Sequence, residues 1–335
     1  MTDVPPGHRA VFAGHRAVFA MAATIVLLLR VPFATAGHVQ PLQYANQLVD
    51  VAPWASADGT VAVAMLGDST MRSQILEMCG KLGYEYRVDG EAELRPPGVY
   101  SRQHDPFSTI YHFSCESPKG RVPRVVFAFD SPGGVGFLNI WARRVERLQA
   151  SAHVDHFDVV YFGSSGLHTT HLLPLRGWPQ PARAASLETD VEAAALGIAA
   201  AGACPIFHTT HWVCEENYQG KYREVVASAA ADPGFFEAQC RGAGHQDLAL
   251  CASSTLTSAG SESIAARERK AIAGTGAAVI DVHTYTKNQC WATPPGDGRH
   301  YPPLLHLQNA ALLREVGRCL AAQQRSTTNS TTTSY

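Results

Sequence analysis

Residues 61–74 read VAVAMLGDSTMRSQ, an apolar run that ends at Gly67-Asp68-Ser69 and passes at once into a helical pattern. The Val- and Ala-rich run predicts a buried strand. A serine at a strand-to-helix turn presents its hydroxyl at the carboxyl edge of a sheet, where ligands bind in open α/β folds. It also lies beside a helix N-terminus, which favours developing negative charge. Asp and Ser are equally ordinary helix N-cap residues, so this segment alone fits a nucleophile and a structural cap about equally well.

The rest of the chain alternates strand-like and helical segments up to residue 322. Further buried strands are expected at residues 124–129, 157–162, 205–210 and 277–282. Tyr84–Val88 and Thr109–Cys115 alternate enough to suggest short strands or extended insertions. Strands alternating with helices predict right-handed βαβ units and a parallel sheet. The expected fold is therefore a single α/β domain over residues 37–322, flavodoxin-like and three-layered, with a central five-stranded parallel sheet.

Composition favours a packed globular domain. Hydrophobic residues make up 46% of the 335 residues and charged residues 17%, and the formal net charge is -2. These values exclude wholesale disorder and give no electrostatic case for a nucleic-acid partner.

The N-terminus has the pattern of a targeting segment. Basic residues precede an apolar run, Ala17–Leu29, and Ala34-Thr35-Ala36 follows as a small-residue cleavage site. Residues 1–36 are thus expected to be a signal peptide, or a signal-anchor that would attach the protein to a membrane. Either leads to the secretory pathway, as a secreted protein or one of the Golgi lumen. The Ser/Thr-rich residues 323–335 are expected to form a disordered tail.

The chain has eight cysteines, an even count that favours disulfides in an oxidising compartment. Pairing cannot be read from sequence. The expected pairs are Cys240 with Cys251, across a Gly-rich loop, and Cys290 with Cys319.

A base for Ser69 is available near the far end of the chain. Asp297 precedes His300 by three residues, in a loop that follows the last expected strand. Side chains at this spacing project the same way in a turn or first helical coil, so one segment supplies both an imidazole and the carboxylate that orients it. His300 would take the proton of Ser69, and Asp297 would fix the imidazole tautomer. This mechanism needs no cofactor and no metal.

Gly67-Asp68-Ser69 near the start and Asp297-x-x-His300 near the end, around five parallel strands, resemble the SGNH/GDSL hydrolase superfamily. The longer motif Gly-Asp-Ser-x-x-Arg-x-Gln, residues 67–74, is similar to that of its PC-esterase group. That group includes trichome-birefringence-like and Cas1-type O-acetyltransferases. The resemblance implies a serine-dependent O-acetyltransferase or acetylesterase, with an acyl donor and a glycan acceptor or an acylated glycan as partners.

Carried over by position, the resemblance makes Ser69, Asp297 and His300 a catalytic triad. It also implies an oxyanion hole from the backbone N–H of Ser69 and from Gly166, with Ser165 as a further donor. Residues 162–168 have no asparagine where these enzymes often use one, and DGRHY at residues 297–301 replaces the Asp-Cys-x-His-Trp form of the plant enzymes. Arg72 lies one turn beyond Ser69 and either binds substrate or makes a structural ion pair.

Two rival functions remain open at this stage. Residues 168–171 and 208–211 both read His-Thr-Thr-His after expected strands, so His208 and His211 could hold zinc in a metal-assisted hydrolase. The missing asparagine instead motivates a non-catalytic secreted glycan-binding protein on a degenerate SGNH scaffold. The oligomeric state cannot be read from the sequence.

Overall fold

The structure is a computed structural model, and the part of the chain it describes belongs to one compact unit, Gln40–Tyr335. The expected signal peptide or signal-anchor, residues 1–36, lies outside the described residues. The described ranges are 59–87, 109–121, 123–132, 141–163, 187–242 and 256–331.

Within these ranges the chain forms one mixed α/β domain with seven strands in a single sheet. The strands are β1 (Thr60–Leu66), β2 (Glu85–Arg87), β3 (Thr109–Glu116), β4 (Arg124–Pro132), β5 (Val159–Gly163), β6 (Cys204–His208) and β7 (Ala278–Ile280). The α-helices are α1 (Ser69–Leu82), α2 (Trp141–Ala152), α3 (Leu187–Ala200), α4 (Gly220–Ala231), α5 (Phe235–Gly242), α6 (Ser258–Ile272), α7 (Val282–Thr286) and α8 (Leu305–Thr331). Short 3-10 turns cover Glu215–Asn217, Cys290–Ala292 and Pro302–Leu304.

The sheet is mostly parallel, in the order β2-β3-β4-β1-β5-β6-β7. The five strands from β4 to β7 run parallel, with β1 at the centre of three strands that pair along its length. The register places Leu66, at the end of β1, beside Asp130 of β4 and Phe162 of β5. The carboxyl ends of these strands therefore meet at one edge, and β1 delivers the chain to that edge immediately before Ser69.

Helices cover both faces of the sheet, and β1 shows why. Six of its seven residues are buried, as expected of a parallel strand packed on both faces. Val61, Val63 and Met65 join one apolar cluster with residues of α1 and α8. Ala62, Ala64 and Leu66 join another with residues of α2, α3 and α6. Burial of each large apolar side chain contributes about 1.5–3 kcal/mol, so β1 is the centre of the core.

The expectation of five strands is corrected to seven. The additional strands, β2 and β3, pair antiparallel beside β4 and correspond to the segments expected as short strands or insertions. A disulfide between Cys79 and Cys115 joins β3 to α1. These strands are added at one edge of the sheet, so the parallel part keeps the five expected strands.

The last helix is longer than expected. Helix α8 continues to Thr331 and enters the tail that was expected to be disordered from residue 323. Gln323 donates hydrogen bonds to the carbonyl oxygens of Asp158 and Gly202, which holds the helix on the domain. Adding residues to an existing helix costs little compared with starting one. Residues 332–335 lie outside the described residues.

Three disulfides join described cysteines, Cys79–Cys115, Cys204–Cys319 and Cys214–Cys290. The expected Cys290–Cys319 pair is therefore wrong. Cys319 lies about 21 Å along α8 from its first residue, near the start of β6, whereas Cys290 precedes that helix at the other end of the sheet. A disulfide needs Cα atoms within about 7 Å. Cys240 is also disulfide-bonded, and its expected partner Cys251 lies outside the described residues.

The disulfides suggest an oxidising environment of the secretory type. No helix in the described ranges combines the length and the apolar composition needed to cross a lipid bilayer.

Candidate active site

The turn from β1 into α1 separates the cap from the candidate nucleophile. Asp68 is the N-cap residue of α1, and its Oδ1 accepts hydrogen bonds from the backbone N–H and the hydroxyl of Thr70. Gly67 precedes it, where a Cβ atom would lie 2.7 Å from Sδ of Met71. Because Asp68 supplies the side-chain cap of the helix, the Ser69 hydroxyl is available for another partner.

That partner is His300, whose Nε2 lies 2.8 Å from Oγ of Ser69, although the two residues are 231 positions apart. His300 Nδ1 lies 2.5 Å from Oδ2 of Asp297. Since a carboxylate only accepts hydrogen bonds, Nδ1 carries the proton and Nε2 is left to accept the hydroxyl of Ser69. The structure thus brings Ser69, His300 and Asp297 together in one hydrogen-bonded chain.

The second oxygen of Asp297 is also used. Oδ1 accepts the backbone N–H groups of Arg299 and His300 at 2.8 and 3.2 Å. Burial raises the pKa of Asp297, but the hydrogen bond and charge of His300, together with the backbone N–H and charge of Arg299, outweigh burial and lower it to about 2. The carboxylate is therefore ionised across the neutral range and is suited to stabilise an imidazolium.

The loop that carries the pair is anchored on the segment that follows β6. The backbone N–H of Cys214 donates to the carbonyl oxygen of Gly298 at 2.8 Å, and a Cβ atom on Gly298 would lie only 2.2 Å from the oxygen of Cys214. The Tyr301 hydroxyl donates to the carbonyl oxygen of Trp212 at 2.8 Å. The Cys214–Cys290 disulfide joins this segment to the turn before the loop. Glycine is thus the one residue that permits this close approach at position 298.

No family model matches this chain, and no curated protein matches it. The chemistry of the site is therefore inferred from its residues and their geometry.

His208 and His211, the candidate zinc ligands, are fully buried, with ring centroids 5.0 Å apart. His211 stacks on Tyr301 and accepts a hydrogen bond from Gln308 at 3.2 Å. Burial is the main cause that lowers the pKa of His208 well below its usual value and that of His211 to about 4. Both imidazoles are therefore neutral at physiological pH and pack as part of the core.

The described residues contain one group of three potential metal ligands, Cys214, Glu216 and Cys290. Its two cysteines form a disulfide with each other, so this group has no thiolates to offer. Among the described residues, His208 and His211 do not form such a group with a third potential ligand. The other His-Thr-Thr-His segment, residues 168–171, lies outside the described residues.

Of the remaining residues that the sequence singled out, Arg72 and Gln74 lie in the described ranges, whereas Gly166 and Ser165 do not. Arg72 lies half-buried one turn into α1, and its backbone N–H donates to the carbonyl oxygen of Asp68. The side chain of Gln74 accepts the Tyr161 hydroxyl at 3.1 Å, a structural contact inside the core. Gly166 and Ser165, the expected oxyanion donors, lie outside the described residues, so only the backbone N–H of Ser69 can be located.

Sequence reasoning missed two residues, one that holds the segment after β6 and one that lies within the loop of Asp297 and His300. Glu268 is fully buried in α6, and its carboxyl group hydrogen-bonds the backbone N–H and the hydroxyl of Thr210 at 2.6 and 2.9 Å. Burial raises the pKa of Glu268 to about 8, against the opposing effect of these hydrogen bonds. Its spacing with Ile264 and Ile272, on the apolar side of the helix, was the available signal. The second residue, Arg299, lies between Gly298 and His300.

Proposed function

We propose that this protein transfers acyl groups through a covalent acyl-Ser69 intermediate. The observation that carries the proposal is the chain of hydrogen bonds from Asp297 through His300 to Ser69, with heavy-atom distances of 2.5 and 2.8 Å. A nucleophile, a base within hydrogen-bond reach and a third group that orients the base are what nucleophilic acyl transfer requires.

Each bond change can be assigned to a residue. Oγ of Ser69 attacks the carbonyl carbon of an acyl donor while His300 Nε2 takes the hydroxyl proton. The tetrahedral intermediate collapses as the bond to the leaving alkoxide breaks, and His300 returns the proton to that oxygen. In the second half, water or a sugar hydroxyl attacks acyl-Ser69, His300 accepts its proton, and the proton returns to Oγ of Ser69 when the acyl group leaves.

The position of Ser69 supports stabilisation of the oxyanion. Ser69 is the first residue of α1, and N–H groups in the first turn of a helix have no intrahelical acceptor. Its N–H group and the positive end of the helix dipole favour negative charge there. We propose Gly166 and Ser165 as the further donors, each of which would be worth about 100- to 1,000-fold in kcat.

The fold is consistent with this chemistry. Counted in chain order, the five parallel strands lie in the order 2-1-3-4-5, which corresponds to β4-β1-β5-β6-β7. This is the flavodoxin-like order, in which ligands bind where the strand order reverses. Together with helices on both faces of the sheet, it supports a three-layer SGNH-type fold. The motif at residues 67–74 supports the PC-esterase group.

We propose an O-acyl carbohydrate as substrate, on the strength of the resemblance and of the oxidising environment that the disulfides suggest. With water as acceptor the protein is an acetylesterase, and with a sugar hydroxyl it is an O-acetyltransferase. Arg72 is the candidate contact for a carboxylate or glycan oxygen.

Labelling with a fluorophosphonate, followed by mass spectrometry of the intact protein, tests the mechanism. The wild type should gain one adduct, located on Ser69, and brief exposure to an acetyl donor should give an acetyl adduct at the same residue. Ser69→Ala should abolish both. Ser73→Ala is the matched control, because Ser73 lies one turn further on and its hydroxyl donates to the carbonyl oxygen of Ser69.

The two alternative functions, a metal-assisted hydrolase and a binding protein, would give different results. Retention of labelling and turnover in Ser69→Ala would rule out the mechanism. Activity abolished by a chelator, without labelling of Ser69, would instead indicate a metal-assisted hydrolase. Tight binding of an acylated glycan without turnover would indicate a binding protein.

A further inference from the structure

Arg299 is a cation held without an ion pair beside the candidate triad. Among the described residues, no carboxylate lies in ion-pair contact with its guanidinium group. Its partner is instead Tyr222 of α4, whose ring centroid lies 4.8 Å from the guanidinium carbon. Nη2 donates to the Tyr222 hydroxyl at 3.3 Å, and Nε is buried without a hydrogen-bond partner in the structure. Burying a guanidinium nitrogen without a hydrogen-bond partner costs free energy, so the contacts with Tyr222 are what hold this half-buried side chain in place.

Two stacked tyrosines lie beneath Arg299. Tyr222 stacks on Tyr218, with ring centroids 5.4 Å apart, and Tyr218 is 2% exposed. Tyr218 also forms a parallel bridge with Gly296, in the loop that carries Asp297 and His300, here called the catalytic loop. The two tyrosines therefore form a platform on which the loop rests at both Gly296 and Arg299.

The titratable groups around Arg299 come from three parts of the chain. Asp297 lies on the same loop, Asp68 precedes α1, and Tyr218 and Tyr222 belong to the platform. Burial lowers the pKa of Arg299, but these four groups outweigh it and raise it, so the guanidinium stays charged. The same charge acts on Asp297, which also faces His300.

We propose that Arg299 is a positioning residue that docks the catalytic loop on Tyr222 and holds the Asp297 carboxylate against His300. Its consequence for catalysis rests on the proposed function, whereas its effect on the Asp297–His300 contact does not. A planar guanidinium can stack on a ring and donate to its hydroxyl at once, and an ammonium group is less well suited to both. Arg299→Lys should therefore keep the charge and lose part of the docking.

The test compares Arg299→Met, Arg299→Lys and Tyr222→Phe with the wild type. Arg223→Met is the matched control, since Arg223 is exposed and follows Tyr222 on the same helix. The first measurement is the rate of fluorophosphonate labelling of Ser69 as a function of pH, over a range from about pH 5 to about pH 9. The second is the far-downfield proton resonance of the imidazole N–H that is hydrogen-bonded to Asp297.

Arg299→Met should label completely but about 100-fold more slowly, the cost of a misplacement of about 1 Å. Loss of the cation should also move the acid limb of the rate profile to higher pH. The downfield resonance should shift upfield or broaden. Arg299→Lys should retain the position of the acid limb with a smaller loss of rate. Tyr222→Phe should lose rate only modestly, and Arg223→Met should match the wild type in both measurements.

A merely structural role would lower the melting temperature of Arg299→Met and leave the pH profile and the resonance of its folded fraction unchanged, which would overturn the proposal. Should Arg299→Met fail to fold, Arg299→Gln, which also removes the charge but keeps a polar side chain, takes its place in both measurements. If the wild type is not labelled at all, the proposed function fails, and the resonance still decides whether Arg299 positions Asp297.

Discussion

Gly298→Ala tests how closely the catalytic loop is seated. A Cβ atom at position 298 would lie 2.2 Å from the carbonyl oxygen of Cys214, and ordinary contact begins at 3.4 Å. The difference, 3.4 minus 2.2, requires a relative displacement of about 1.2 Å. The backbone hydrogen bond from Cys214 to Gly298 opposes that displacement, because it joins the same two residues at 2.8 Å.

The displacement would disturb the contact between His300 and Ser69. His300 follows Gly298 by two residues, and its Nε2 lies 2.8 Å from Oγ of Ser69. A shift of about 1 Å in a reacting group lowers the rate by roughly 100-fold, and overpacking of this kind costs about 1–3 kcal/mol of stability. Gly298→Ala should therefore fold, with a lower melting temperature, and label Ser69 roughly 100-fold more slowly.

The assay is the rate of fluorophosphonate labelling, with thermal denaturation of the same samples. Gly274→Ala is the control, because a Cβ atom at that glycine meets no atom within 4 Å. Labelling of Gly298→Ala at the wild-type rate would refute the reasoning, since the imidazole would then be insensitive to the seating of its loop.

Three further predictions concern the triad carboxylate, a buried acid and the disulfides. Asp297→Asn should lower kcat about 10,000-fold by favouring the wrong imidazole tautomer, with a smaller effect on KM, as steady-state kinetics will show. Glu268 has a pKa of about 8 in the folded protein against 4.5 for the free side chain, so the folded state binds the extra proton between these values. Protonated Glu268 therefore stabilises the folded protein below pH 4.5, by roughly a few kcal/mol, and this stabilisation is lost as the pH rises towards 8; urea unfolding should show this decline in the free energy of unfolding, and Glu268→Gln should reduce it. Removing Cys204–Cys319, with a separation of 115 residues, should cost about 1 kcal/mol more than removing Cys79–Cys115, with a separation of 36; denaturant midpoints of the two double-alanine variants will test the order.

Local sequence patterns were sufficient to predict the parallel part of the sheet and the proximity of Ser69 to Asp297 and His300. Both depend on rules that act over a few residues: apolar runs make strands, and loops after parallel strands share an edge. The spacing of Asp297 and His300 then placed both side chains in one turn.

The features that sequence did not reveal depend on contacts between distant segments. Cys290 pairs with Cys214 because the loop after β6 folds against the turn before the catalytic loop, a proximity that no local pattern encodes. The platform under Arg299 has the same origin, since Tyr222 lies 77 positions away along the chain. The antiparallel strands β2 and β3 were ambiguous because their alternation also fits extended insertions.

The separation of 231 residues between Ser69 and His300 has a consequence for how the protein is made. During synthesis the serine leaves the ribosome first, and its imidazole partner follows only after nearly all of the sheet. At about 5–20 residues per second, this interval is roughly 12–46 seconds. Under the proposed mechanism, the serine lacks throughout that time the base that would activate it towards acyl groups. The contact between Ser69 and His300 can form only after the strands that bring its two halves together have been made.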